Sequence, residues 1–183
     1  MSPQPLLSRR QVLAAPLAWS AGLAQAAQPV SAVAGLRLPL VQWAQSQPIG
    51  PPWAGLQQLG TDDFKGQWVY LDFWASWCAP CRQSFPWMNS LHDRFGPRGL
   101  QIVAVGVDKT AEKMTAFLKA TRPRFWILWD AASVWAEKLQ ISSMPSSVLI
   151  RPDGQMGEWH KGYTQSTAQK LEVQLQQWLP ERA

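Results

Sequence analysis

From residue 64 onward, apolar positions fall into short continuous runs that alternate with helical stripes. Trp68-Val69-Tyr70-Leu71-Asp72-Phe73-Trp74 is a mostly apolar run of strand length, which predicts a buried strand. Trp87, Met88, Leu91 and Phe95 recur like one helical face, predicting a helix over roughly 80–95. Gly96-Pro97-Arg98-Gly99 makes a turn, and 100–107 is a second continuous apolar run, the pattern of a strand covered on both faces. Met114, Phe117 and Leu118 share one face of a predicted helix over 111–121. A strand over 125–129, a short helix over 133–139 and a strand over 146–151 follow. Pro152-Asp153-Gly154 is a turn signal, with 155–161 returning as an antiparallel partner. Ala168, Leu171, Leu175, Trp178 and Leu179 align on a last helix that Pro180 ends. The order β-α-β-α-β-α-β-β-α predicts an α/β fold: a central mixed sheet flanked by helices, with parallel crossovers and an antiparallel edge.

The first third of the chain reads differently. Residues 27–62 are poor in charge and rich in Pro, Gln, Ala and Gly. Prolines at 48, 51 and 52 forbid a helix there, so this is an extended lead-in with a short edge strand around 36–43. Residues 1–26 read as an export signal. Ser8-Arg9-Arg10-Gln11-Val12-Leu13 is similar to the twin-arginine motif. The weakly apolar stretch 12–23 is too short to span a membrane, and Ala24-Gln25-Ala26 offers small residues at cleavage spacing, placing the mature start near Ala27. A tail that merely carries two arginines, or a signal kept as an anchor, is the alternative. With no cysteine in it, the signal offers no site for a lipid anchor.

Composition narrows the function. With 183 residues and 46% hydrophobic content the chain can build one domain with a substantial core. Seventeen basic residues stand against twelve acidic ones; without Arg9 and Arg10 the balance is fifteen to twelve, or +3. No basic run is present, so nucleic acid is not an expected partner. Twelve tryptophans are expected mainly in the core, with Trp77 the foremost candidate for exposure. Two cysteines are too few for a disulfide-stapled secreted scaffold. Together with His92 and His160 they have no spacing recognisable as a zinc site, so no metal is expected. Neither histidine is assigned a role.

Cys78 and Cys81 have two residues between them, at the junction of the first strand and the first helix. Unpaired backbone N–H groups and the helix dipole favour a negative charge there. A cysteine pKa of about 8.5 can fall to about 3.5–7.5 in such a place. Cys78 is therefore the expected thiolate nucleophile, open to solvent, with Cys81 one turn on to close a ring with it. Asp72, an acid inside an apolar strand, needs a partner or a task.

Phe73-Trp74-Ala75-Ser76-Trp77-Cys78-Ala79-Pro80-Cys81, supported by Val148-Leu149-Ile150-Arg151-Pro152-Asp153-Gly154, resembles the thioredoxin fold and, within it, the exported thiol–disulfide oxidoreductases of the TlpA/ResA type. The resemblance implies a thioredoxin-like domain over 63–180. Cys81 and Pro145 are 64 positions apart, which implies an inserted strand–helix unit between the CxxC helix and the cis-Pro loop. It further implies a cis bond between Met144 and Pro145, with Trp77, Met144 and Pro145 holding an extended substrate beside Cys78. Asp72 matches the buried aspartate of thioredoxins that handles the proton of the second cysteine. Relatives of this type usually carry Glu three residues after the second cysteine, where this chain has Ser84; the expectation is that the carboxylate has moved from helix to strand. Ser143 also departs from the Gly that often precedes the x-Pro.

The implied activity is periplasmic thiol–disulfide exchange through a Cys78–Cys81 dithiol, with no cofactor beyond that pair. Client proteins carrying a disulfide or dithiol and a membrane electron-transfer protein as reductant are the implied partners. Ala79-Pro80 resembles the Gly-Pro of reducing thioredoxins, favouring a reductase that serves cytochrome c or copper-centre assembly. A disulfide donor of the same fold, or less directly a copper-binding chaperone, is the alternative.

Overall fold

A computed structural model describes residues 33–41 and 57–179. The signal 1–26 with its cleavage site, the Pro-rich stretch around 48–52, Trp43 and Pro180 lie outside the described residues. The elements are β1 (Arg37–Pro39), β2 (Gln58–Gly60), β3 (Trp68–Trp74), α1 (Ala79–Phe95), β4 (Leu100–Gly106), α2 (Ala111–Thr121), β5 (Trp126–Trp129), α3 (Val134–Lys138), β6 (Ser146–Ile150), β7 (His160–Lys161) and α4 (Gln165–Trp178).

Five strands form one sheet in the order β5-β4-β3-β6-β7. β3, β4 and β5 are parallel, joined by α1 and α2 crossovers, while β6 runs antiparallel to β3 and β7 antiparallel to β6. β3 at the centre is buried along almost its whole length, which is why its sequence is nearly continuous in apolar residues. Between α1 and the loop before β6 the chain carries two strand–helix units, β4-α2 and β5-α3.

Side chains alternate across the sheet. Tyr70 and Trp74 of β3 face a layer made with Phe85 and Met88 of α1, Phe117 of α2 and Leu171 and Leu175 of α4. Val69, Leu71 and Phe73 face the other way, against Trp135 of α3 and, from the lead-in, Val33, Leu38 and Leu59. Among the described tryptophans, Trp74, Trp126 and Trp135 are buried in the core, and Trp68, Trp87, Trp129 and Trp159 are partly buried against it; Trp178 is exposed at the rim, stacked on Trp68 at 5.2 Å.

Two sequence expectations change. The edge strand is shorter than 36–43 and pairs with β2, an unforeseen partner, in a separate two-stranded sheet; it meets the main sheet where Leu40 bridges Leu128. The return strand over 155–161 reduces to β7 and an isolated Ile150–Met156 bridge. Gly157 and Trp159 between them fall outside the strand, so the alternation is broken there.

Candidate active site

Chain geometry at the end of β3 builds the site. After Trp74 the chain leaves the sheet, Cys78 N–H donates to the Ala75 carbonyl at 3.1 Å, and α1 begins. Cys78 is the N-cap of that helix, in extended conformation, and its Sγ accepts the Cys81 N–H at 3.1 Å. No acidic residue occupies the first turn, so the dipole and free N–H groups there act on the sulfur unopposed from within the helix. Cys78 and Cys81 are joined in a disulfide with S–S 2.05 Å and Cα–Cα 5.3 Å.

The expectation of an open Cys78 needs correction. In the disulfide form it is only 4% exposed, and Cys81 is fully buried. Its sulfur is folded back onto the helix end, bonded to Cys81 and accepting the Cys81 N–H. Exposure lies instead on the neighbours: Trp77 is 70% exposed and Ala79 and Pro80 are exposed. Thiol–disulfide exchange depends on access to the attacked sulfur, and the small exposed fraction belongs to Cys78 rather than to Cys81.

Met144–Pro145 is a cis peptide, as the resemblance implies. Phe73 lies opposite Ser146 in the β3–β6 ladder, so this loop and the Cys78 loop leave the sheet at the same end. Met144 is half-buried and packs against the cores on both sides of the sheet. Ser143 takes part in the turn: its carbonyl accepts the Ser146 hydroxyl at 2.7 Å.

Asp72 is 1% exposed, which excludes a carboxylate reaching solvent at a strand end. It shares the sheet face of Tyr70 and Trp74 by alternation, the face that α1 covers with Cys81 and Phe85. Its Oδ2 has no hydrogen-bond partner, and burial pushes its carboxyl well above the usual carboxylate range. A carboxyl so placed keeps its proton to higher pH than an exposed one, because burial disfavours the charged form. Ser84 is buried and donates its hydroxyl to the Cys81 carbonyl at 3.0 Å.

Sequence reasoning missed Asp108. It is 2% exposed just past β4, and its carboxylate accepts the Ser76 N–H at 2.8 Å and the Ser76 hydroxyl at 2.7 Å. The only sequence signal is an acid placed directly after a buried apolar run. Half-buried His92 stands apart from the dithiol on the last turns of α1. Among the described residues no three of His, Cys, Asp or Glu are grouped as a metal site, and no helix is long and apolar enough to cross a membrane.

Residues 52–158 match the model of the AhpC/TSA family. A thiol-disulfide oxidoreductase ResA of Bacillus thuringiensis subsp. konkukian is 32% identical over 124 residues, which is 68% of this chain and 70% of that protein. ResA of Bacillus subtilis is 31% identical over 100 residues, 55% of this chain and 56% of its own. Among solved structures, a thiol:disulfide interchange protein described as DsbE from Chlorobium tepidum is similar with a TM-score of 0.67 at 32% identity, covering 78% of this chain and 92% of that one. StoA from Bacillus subtilis gives 0.53 at 28% identity, covering 60% and 82%.

Proposed function

The chain belongs to the AhpC/TSA family and is a thioredoxin-fold thiol–disulfide oxidoreductase, and on that premise we propose that it is a periplasmic reductase of specific client proteins, acting through Cys78, Cys81 and Asp72. Cys78 as thiolate attacks a client disulfide; one client sulfur leaves and a mixed disulfide forms. Asp72 takes the Cys81 proton. The Cys81 thiolate then displaces the second client sulfur, closing Cys78–Cys81 as two electrons pass to the client. Trp77 and the Met144-Pro145 loop flank the client.

The observation that carries this reading is a disulfide at a helix N-terminus above a buried carboxylate without a partner on Oδ2. Ala79-Pro80 between the cysteines favours the reducing direction, and the expected potential lies below about −200 mV, toward thioredoxin and away from strong oxidants. Turnover then draws on a membrane electron-transfer protein, since the periplasm is kept oxidising. Export by the twin-arginine route, with cleavage near Ala26, rests on the leader sequence alone. Proteins of cytochrome c or copper-centre assembly are examples of such clients.

Expressing the full chain as Cys81→Ser tests the reading. Mixed disulfides should accumulate on Cys78, dissolve with dithiothreitol and vanish in Cys78→Ser. A chain that captures no disulfide-bearing protein, or captures it without Cys78, overturns the proposal. Equilibration with glutathione buffers decides the direction.

A further inference from the structure

Asp72, Ser147 and His160 stand directly opposite one another on three neighbouring strands, β3, β6 and β7. Opposed residues in an antiparallel ladder present their side chains to the same face. All three therefore look toward α1 and α4, the side on which Cys81 is buried. Burial falls along the row, from 1% exposure at Asp72 and 4% at Ser147 to half-buried His160 at the sheet edge. On its other flank Asp72 faces Ala104 of β4, which carries no exchangeable proton.

The same row borders a small cavity. Tyr70, Ser147, His160 and Tyr163 line a space of about 10 Å3 beside Ala168 and Leu171 of α4, on the scale of a single water molecule. Tyr70 lies two residues before Asp72 on the same face, and its hydroxyl is hydrogen-bonded with that of Ser147. A serine hydroxyl both donates and accepts, and an imidazole can accept at one ring nitrogen while donating from the other. Buried acid, hydroxyl, water-sized space and imidazole thus follow one another from the core to the surface.

We propose that Asp72, Ser147 and His160 form the path by which the dithiol exchanges its proton with solvent. The proposal rests on the reading of Asp72 as the proton acceptor of Cys81. In the resolving step Cys81 gives its proton to the Asp72 carboxylate, the Cys81 sulfur bonds to Cys78, and the Cys78–client bond breaks with its electron pair leaving on the client thiolate. The proton on Asp72 then passes through Ser147 and one water to His160 and into solution. When a reducing dithiol reopens the disulfide, the row runs inward and returns a proton to Cys81. Ser147 and His160 touch no reacting sulfur; they are positioning and relay residues.

Other ionisable groups on this face do not replace them. Burial holds Tyr70 and Tyr163 above the usual phenol range, so both stay neutral near pH 7. Glu172 of α4 is engaged by Trp87 Nε1 and by Arg94. Cys81 of α1 is the group being served.

The test is single-turnover oxidation of the reduced full-length protein by a peptide disulfide, under conditions where resolution of the mixed disulfide limits the rate, from pH 5.5 to 9. His160→Gln should resolve about tenfold more slowly near pH 6.5, short of the roughly hundredfold loss of a direct acid–base group, with the deficit closing toward pH 9. Ser147→Thr keeps the hydroxyl and should stay near the wild-type rate, whereas the near-isosteric Ser147→Val should match His160→Gln. In an Asp72→Asn background His160→Gln should add nothing. Equal rates for the Thr and Val variants, or the same His160→Gln deficit with and without Asp72, overturn the path. A wild-type protein that never completes exchange overturns instead the functional reading beneath it.

Discussion

Ser76 donates both its backbone N–H and its hydroxyl to the one carboxylate of Asp108, at 2.8 and 2.7 Å. That pair ties the loop carrying Trp77 and Cys78 to the end of β4. The anchor is itself held: Trp129 Nε1 donates to the Asp108 carbonyl at 2.7 Å, and Lys109 Nζ donates to the Ala131 carbonyl at 2.8 Å. Asp108→Ala removes both acceptors and strands the Ser76 N–H. The oxidised protein should lose about 1–3 kcal/mol in urea unfolding, with Asp108→Asn losing less. An unchanged midpoint for the alanine variant would show the clamp to be idle.

Asp72 ties stability to pH. Burial raises its folded-state pKa above that of the unfolded chain, so folding favours the protonated acid. Its stabilising contribution is full below about pH 4, where both states are protonated, and is lost as pH rises toward the folded value. Asp72→Asn should leave stability nearly unchanged near pH 3 and raise it at pH 7 and above by about 1–3 kcal/mol. Urea midpoints of the two oxidised proteins against pH check this; parallel curves would contradict it.

Trp77 separates binding from folding. At 70% exposure it contributes little packing, so Trp77→Ala should change unfolding free energy by no more than about 0.5 kcal/mol. Reduction of a protein client should fall several-fold through KM, while a small aromatic disulfide is reduced at the wild-type rate. A matching loss on both substrates would remove Trp77 from client binding.

Gly106 is set by its neighbour. A Cβ there would lie 3.2 Å from Trp74 Cζ2 and 3.4 Å from Met114 Sδ, inside a layer where Trp74 packs against Phe85 and Phe117 at 4.9 and 4.5 Å. Gly106→Ala should therefore cost about 1–3 kcal/mol through overpacking. Thermal unfolding of the oxidised protein measures it, and no loss would mean that Trp74 has room to shift.

Much of this was legible in the chain because its signals are local. β3 and α2 fall on their predicted spans, and α1 within a residue, since a buried run and a 3.6-residue stripe are read within a window of one element. β2 was not legible: Gln58–Gly60 is a strand only because Arg37–Pro39 lies beside it. Asp108 was not legible either, as its partner Ser76 is 32 positions away.

The sequence by itself determined the order of elements, the redox pair at a helix start and the acid inside β3, because each depends on neighbours a few bonds away. Tertiary structure alone decided that Cys78 is nearly covered, that Asp72 lies on the Cys81 side without a partner on Oδ2, and that Ser147 and His160 fall in line with it. Register and burial come from pairings between distant segments, and packing, not local preference, selects which residues meet.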